Sequence, residues 1–163
     1  MAQKVVLHVE DDSDDAFFVA RALRKALPQL LIRRVKDGRE AIDYLGGTGE
    51  WAAPSNAAPD FVLLDLKLPD IDGFEVLQWI RKQPRLKELQ VFILSGSSVA
   101  EDKERAQGLG AKAYFVKTTD YKEVVASYAS VLQNPNAIIS PCANGEVRDN
   151  PEVDSTEGSQ ISS

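Results

Sequence analysis

Phe61-Val62-Leu63-Leu64-Asp65 is an apolar run closed by a carboxylate. Four consecutive apolar residues leave no polar face, the pattern of a strand covered on both sides in a parallel sheet. Four other stretches read the same way: Val5–Val9, Leu30–Val35, Val91–Leu94 and Ala113–Val116. Arg33 and Arg34 interrupt the second, so it is expected at an edge. Helical patterns fill the intervals. Phe17, Ala20, Leu23, Ala26 and Leu27 form one stripe, with Arg21, Arg24 and Lys25 off it. Phe74, Leu77 and Ile80 recur at three until Pro84 ends the pattern, and Val124, Val125, Tyr128, Ala129 and Leu132 form a last stripe. Ser13, Asp37 and Asp120 stand where side chains cap the first, second and fifth helices. Five strand–helix alternations predict an α/β fold, a doubly wound five-stranded parallel sheet with right-handed crossovers. Ligands in such sheets bind at the carboxyl ends of the strands.

The chain has 163 residues. That is one domain of ~150 residues with an appendage. Residues 1–132 read as the domain. Residues 133–163 shift to Asn, Pro, Ser, Gly and acid, with five acids (Glu146, Asp149, Glu152, Asp154 and Glu157) against Arg148, and read as a largely disordered tail. Gly46–Pro59, rich in Gly, Ala and Pro, reads as a long connection before the third strand. A net charge of −6 repels phosphate backbones, which argues against nucleic-acid binding as the main activity. No apolar run approaches the ~20 residues of a membrane span. The amino-terminal run meets Glu10-Asp11-Asp12 too soon for a signal peptide. Cys142 has no internal partner for a disulfide, in keeping with the cytoplasm.

The strand ends carry the chemistry. Glu10, Asp11 and Asp12 follow the first strand and Asp65 follows the third. Carboxylates gathered on one rim raise each other's pKa unless a cation sits among them. Oxygen-only ligands at an exposed rim suit Mg²⁺. Ser95 closes the fourth strand and Lys117 the fifth. An ammonium can hold a phosphoryl oxygen as a point charge, and a hydroxyl can donate to another. A carboxylate nucleophile, a divalent cation, an ammonium and a hydroxyl form a set suited to phosphoryl transfer onto an aspartate.

Over Lys4 to about Leu132 the chain resembles the receiver domains of two-component response regulators. The resemblance rests on Val9-Glu10-Asp11-Asp12, Leu63-Leu64-Asp65-Leu66-Lys67-Leu68-Pro69-Asp70-Ile71-Asp72-Gly73, Ile93-Leu94-Ser95-Gly96, Gly110-Ala111 and Val116-Lys117. It implies a flavodoxin-like sheet of strand order 2-1-3-4-5. It implies that Asp65 accepts a phosphoryl group from a sensor histidine kinase or phosphotransfer protein. Mg²⁺ would be held by Glu10 (through water), Asp11, Asp65 and the carbonyl of Lys67. Lys117 and Ser95 would bind the phosphoryl group. Ser95 and Tyr114 would form the switch, Tyr114 turning inward as Ser95 shifts, and the face made by the fourth helix, fifth strand and fifth helix would meet a downstream protein.

The organisation is similar to stand-alone regulators, including those paired with phytochrome-type kinases. Some of those form homodimers, for which Tyr121, Tyr128 and Ala137-Ile138-Ile139 are available here. Lys67 and Ser97, two past Asp65 and Ser95, fall where the family tunes loss of the phosphoryl group. Thr118 stands where the family has proline, so the loop after Lys117 is either trans or a strained cis form.

Two other readings compete with this one. A phosphatase related to haloacid dehalogenases needs a second aspartate where Lys67 stands. A degenerate receiver acting only as a binding module conflicts with the complete set of acids and lysine. Other signals read as structural: His8 within a strand, Trp51 in the long connection, Gly108-Leu109-Gly110 preceding a strand rather than following one, and Asp70-Ile71-Asp72-Gly73 without the remaining acids of a calcium loop.

Overall fold

The computed structural model describes residues 3–49 and 58–117, together with 125, 126, 129 and 130. Strands β1 (Val5–Val9), β2 (Leu31–Val35), β3 (Phe61–Leu64), β4 (Gln90–Ser95) and β5 (Ala113–Val116) alternate with helices α1 (Ser13–Ala26), α2 (Gly38–Gly46), α3 (Gly73–Lys82) and α4 (Ala100–Gly108). All strand pairs are parallel, in the order β2-β1-β3-β4-β5. This is the doubly wound, flavodoxin-like α/β sheet expected from the sequence. The arginine-bearing β2 is an edge strand. Most of the fifth helix, its Asp120 cap, Trp51, Thr118 and the tail lie outside the described residues, as does most of the long connection. Gly46 belongs to α2, and Gly47, in the left-handed conformation, closes that helix.

The continuous apolar strands bury both faces, as their composition requires. Leu7, Val9, Val62, Leu64, Val91 and Ile93 meet α2, α3 and α4 on one side. Val6, Leu63, Phe92, Leu94 and Phe115 meet Val19 and Leu23 of α1 on the other, where Val125 also packs. The stripe expected on α1 is rotated. Its buried residues are Ala16, Val19 and Leu23, at i, i+3 and i+7, while Phe17 and Phe18 are 61% and 52% exposed and meet edge to face. An overlapping periodicity of apolar residues concealed which stripe faced the sheet. The cap is also one residue earlier than expected: Asp12, not Ser13, accepts from the amides of Asp14 and Asp15. A carboxylate there also complements the positive end of the helix dipole.

Two local devices set the loops. Asp72 caps α3 by accepting from the Glu75 amide, and Gly73 opens that helix against the chain that follows β3. A Cβ on Gly73 would overlap the Asp65 carbonyl oxygen and lie 2.7 Å from Leu66 Cα, so glycine is required there. At the opposite end of the sheet, the Arg81 guanidinium donates to the carbonyls of Lys87 (3.1 Å), Leu89 (2.8 Å) and Gly110 (2.7 Å). One side chain thus ties the end of α3 to the entries of β4 and β5.

Candidate functional site

The register of the sheet builds the site. Val9 pairs with Leu64 and Ser95 with Val116, so the residues just past β1 and β3 emerge side by side. The ladder runs one step further: the Asp65 amide donates to the Val9 carbonyl (3.1 Å), the Glu10 amide to Val35 (3.0 Å) and the Lys117 amide to Ser95 (2.7 Å). Backbone hydrogen bonds therefore fix the Cα positions of Glu10, Asp65 and Lys117 before any side chain interacts. Glu10, Asp65 and Ser95 are buried, whereas Asp11 and Lys67 are exposed.

Lys117 crosses the rim to the acids. Its Nζ donates to Glu10 Oε1 (3.1 Å), Asp15 Oδ2 (3.0 Å) and Asp65 Oδ2 (3.0 Å), and lies 2.9 Å from Glu10 Oε2. The second Asp65 oxygen, Oδ1, accepts from the Lys67 amide (3.2 Å). Burial works against the Lys117 charge, but its hydrogen bonds to Glu10 and Asp65 outweigh that and hold its pKa above the ordinary lysine value. Burial raises the Glu10 carboxyl to about 7, with the Asp65 charge adding and Lys117 opposing. The ammonium thus stays charged, and burial makes the Glu10 carboxyl easier to protonate than an ordinary glutamate.

The acids suit a metal. One oxygen each of Glu10, Asp11 and Asp65 lies within 4.8 Å of the others. Glu10 Oε2 is buried and receives no hydrogen bond, despite its proximity to Lys117. Three carboxylates that bring one oxygen each to a common point make an all-oxygen set that fits a hard divalent cation.

Two residues missed in the sequence also belong here. Asp15, one helical turn past the Asp12 cap, faces the rim and meets Lys117. Its signal was its place in the first turn of the helix that leaves the acid-bearing loop. Arg34 donates from Nε to the Glu10 carbonyl (3.1 Å) and from Nη2 to the Asp11 carbonyl (3.2 Å), holding the acid loop from the neighbouring strand. Asp12, one of the clustered acids, is engaged in capping α1.

Tyr114 lies on β5 and is buried; its hydroxyl donates to the Ser97 carbonyl (2.8 Å). Burial pushes the phenol above its ordinary pKa, while hydrogen bonds with Ser95 and Ser97 oppose the shift. His8 is buried within β1, and burial, with help from the charges of Lys117 and Arg34, pulls its pKa from 6.5 to about 3. It is a neutral core residue.

Acids, ammonium and hydroxyl at the ends of four neighbouring parallel strands define a class of signalling module. The chain belongs to the response regulator receiver domain family, which its residues 6–129 match. A receiver is a signalling domain rather than a classical enzyme.

Particular relatives narrow the comparison. The chain is 32% identical over 121 residues to the response regulator Rcp1 of Synechocystis, covering 74% of this chain and 81% of that protein. Among solved structures it is similar to the phosphorylated cyanobacterial phytochrome response regulator RcpA, with 32% identity and a TM-score of 0.74 over 82% of this chain and 96% of that one. The bacteriophytochrome response regulator RtBRR matches with 36% identity and a TM-score of 0.72 over 80% of this chain and 78% of that one. Rcp1 in its Mn(2+)-bound form matches with 30% identity and a TM-score of 0.69 over 80% of this chain and 93% of that one. Among the described residues, no helix is long and apolar enough to cross a membrane.

Proposed function

We propose that this chain is a Mg²⁺-dependent phosphoacceptor that takes a phosphoryl group on Asp65 and switches a protein partner. The observation that carries this reading is the Lys117 ammonium, held 3.0 Å from an Asp65 carboxylate that shares its rim with Glu10 and Asp11. The Asp65 carboxylate attacks phosphorus in a phosphohistidine, an O–P bond forms, the N–P bond breaks, and the imidazole leaves with its electron pair. Glu10, Asp11, Asp65 and the Lys67 carbonyl would hold Mg²⁺, which neutralises charge on the phosphoryl oxygens. Lys117, already charged, passes from the carboxylates to a phosphoryl oxygen, and the Ser95 hydroxyl donates to another. The new charge biases a two-state surface made by α4, β5 and the fifth helix.

The phosphodonor in this reading is a sensor histidine kinase of phytochrome type, or a phosphotransfer protein, in the cytoplasm. The names of the relatives support the phytochrome link. We assign the receiver unit to 1–132, with 133–163 as an acidic tail; the family match over 6–129 supports this division. A homodimer through β5, the fifth helix and the carboxyl-terminal arm belongs to the same reading, and a concentration-independent monomer mass in sedimentation would exclude it.

The test is intact mass after incubation with acetyl phosphate, with Mg²⁺ or with chelator, beside Asp65→Asn. One added phosphoryl group that requires both Mg²⁺ and Asp65 is expected. An equally phosphorylated Asp65→Asn would place the acceptor elsewhere. No gain from acetyl phosphate or from phosphorylated phytochrome-type kinases would leave a binding module.

A further inference from the structure

Helix α4 is weakly anchored. Of its nine residues only Ala106 is buried, and Arg105 lies over the Phe74 ring, 4.2 Å from its centroid. Val99, at the cap position, makes no side-chain capping hydrogen bond. Ser97 supplies what Val99 lacks: its Oγ accepts from the Val99 amide (3.3 Å) and donates to Asp102 Oδ2 in the first turn of α4 (2.6 Å). A hydroxyl–carboxylate bond of that length is charge-assisted and stronger than a neutral one.

The main chain of the same serine faces the other way. Its amide donates to Ser95 Oγ (3.2 Å) and its carbonyl accepts from the Tyr114 hydroxyl (2.8 Å). Ser97 therefore joins three things: the first turn of α4, the hydroxyl at the rim and the buried aromatic of β5.

We propose that the Ser97–Asp102 hydrogen bond is a latch that fixes the loop between β4 and α4, and thereby holds Tyr114 in its buried position and Ser95 in its orientation. Asp102 is a positioning residue: it acts through Ser97 and touches no reacting atom. Opening the latch frees the carbonyl that holds Tyr114 and the amide that holds Ser95 together, because both belong to one residue. The communication from rim to α4 thus runs through a side-chain pair that joins the loop to the helix.

The consequence for signalling rests on the receiver reading above, but the latch itself is tested without a phosphodonor. The full chain is labelled with 3-fluorotyrosine, and the Tyr114 signal among its four tyrosines is assigned with Tyr114→Phe. Ser97→Ala and Asp102→Ala should each move the Tyr114 fluorine resonance more than halfway toward the value of an exposed tyrosine. The double variant should move it no further than the larger single change, since both break one bond. Ser97→Thr, which keeps the hydroxyl, should restore the native resonance. A Tyr114 resonance unmoved in both alanine variants would overturn the latch, as would single effects that add in the double variant. Failure of the native chain to take a phosphoryl group would defeat the phosphoacceptor reading alone, since the fluorine signal is independent of it.

Discussion

Replacing His8 with leucine should change how the protein's stability depends on pH, by an amount that follows from burial. His8 is the chain's single histidine and is enclosed within β1. In the unfolded chain it takes a proton below 6.5; in the native chain it refuses one until about 3. Between those values the unfolded state binds more protons, so native stability falls as pH falls. At about pH 5 the unfolded histidine is favoured by about 1.5 units of 1.36 kcal/mol, or about 2 kcal/mol, while at about pH 7.5 the effect is close to zero. The figure does not depend on how far below 4 the native value lies.

Glu10 works in the opposite sense. Its carboxyl, raised from 4.5 to about 7, binds a proton in the native state first, so it adds stability as pH falls through that window. It does so in both proteins and drops out of their difference. Urea unfolding of the native chain and His8→Leu, in chelator at about pH 7.5 and about pH 5, should therefore show the gap between them move by about 2 kcal/mol in favour of leucine. A gap that stays constant would mean that His8 is protonated in the folded protein or already shielded in the unfolded one.

Other outcomes follow from the site and its supports. Lys117→Met strands Glu10 and Asp65 as buried carboxylates and should cost roughly 3 kcal/mol at about pH 8 in chelator, with Mg²⁺ recovering more stability than it adds to the native chain; urea unfolding reads both. Gly73→Ala should destabilise by about 1–3 kcal/mol and slow phosphoryl uptake, because its methyl displaces the Asp65 backbone; intact-mass kinetics beside thermal unfolding separate the two effects. Arg34→Met removes the donors to the Glu10 and Asp11 carbonyls and should weaken Mg²⁺ binding roughly tenfold by calorimetric titration.

The sheet was legible because every strand but the arginine-bearing β2 is apolar on both sides, and a pattern with no polar face admits few alternatives. The rim was legible because the acids, Ser95 and Lys117 each stand at the end of such a run. Asp15 and Arg34 were not, for different reasons. Asp15 becomes part of the rim only once the start of α1 is fixed to the residue. Arg34 read as a mark of an edge strand, and its guanidinium reaches Glu10 through a pairing that spans 24 residues of chain. The error on α1 has a similar origin. Phe17 is more hydrophobic than Ala16, so composition favoured the wrong stripe, whereas the smaller residue is the one that is buried. The tie from Ser97 to Asp102 lies between two polar residues five apart across a loop, which no periodicity reveals.

The fork of Arg81 pins the chain just past the carboxyl end of α4. The carboxyl end of that helix runs into Gly110, whose carbonyl Arg81 grips together with the entry to β4. Nine residues of helix span ~13 Å, so a swing of about 10° about that end carries the other end through roughly 2 Å. Such a displacement would be greatest beside Ser97 and would vanish at the foot of the sheet. A partner seated across the amino-terminal half of α4 would feel the full stroke, and one seated near Gly108 would feel almost none.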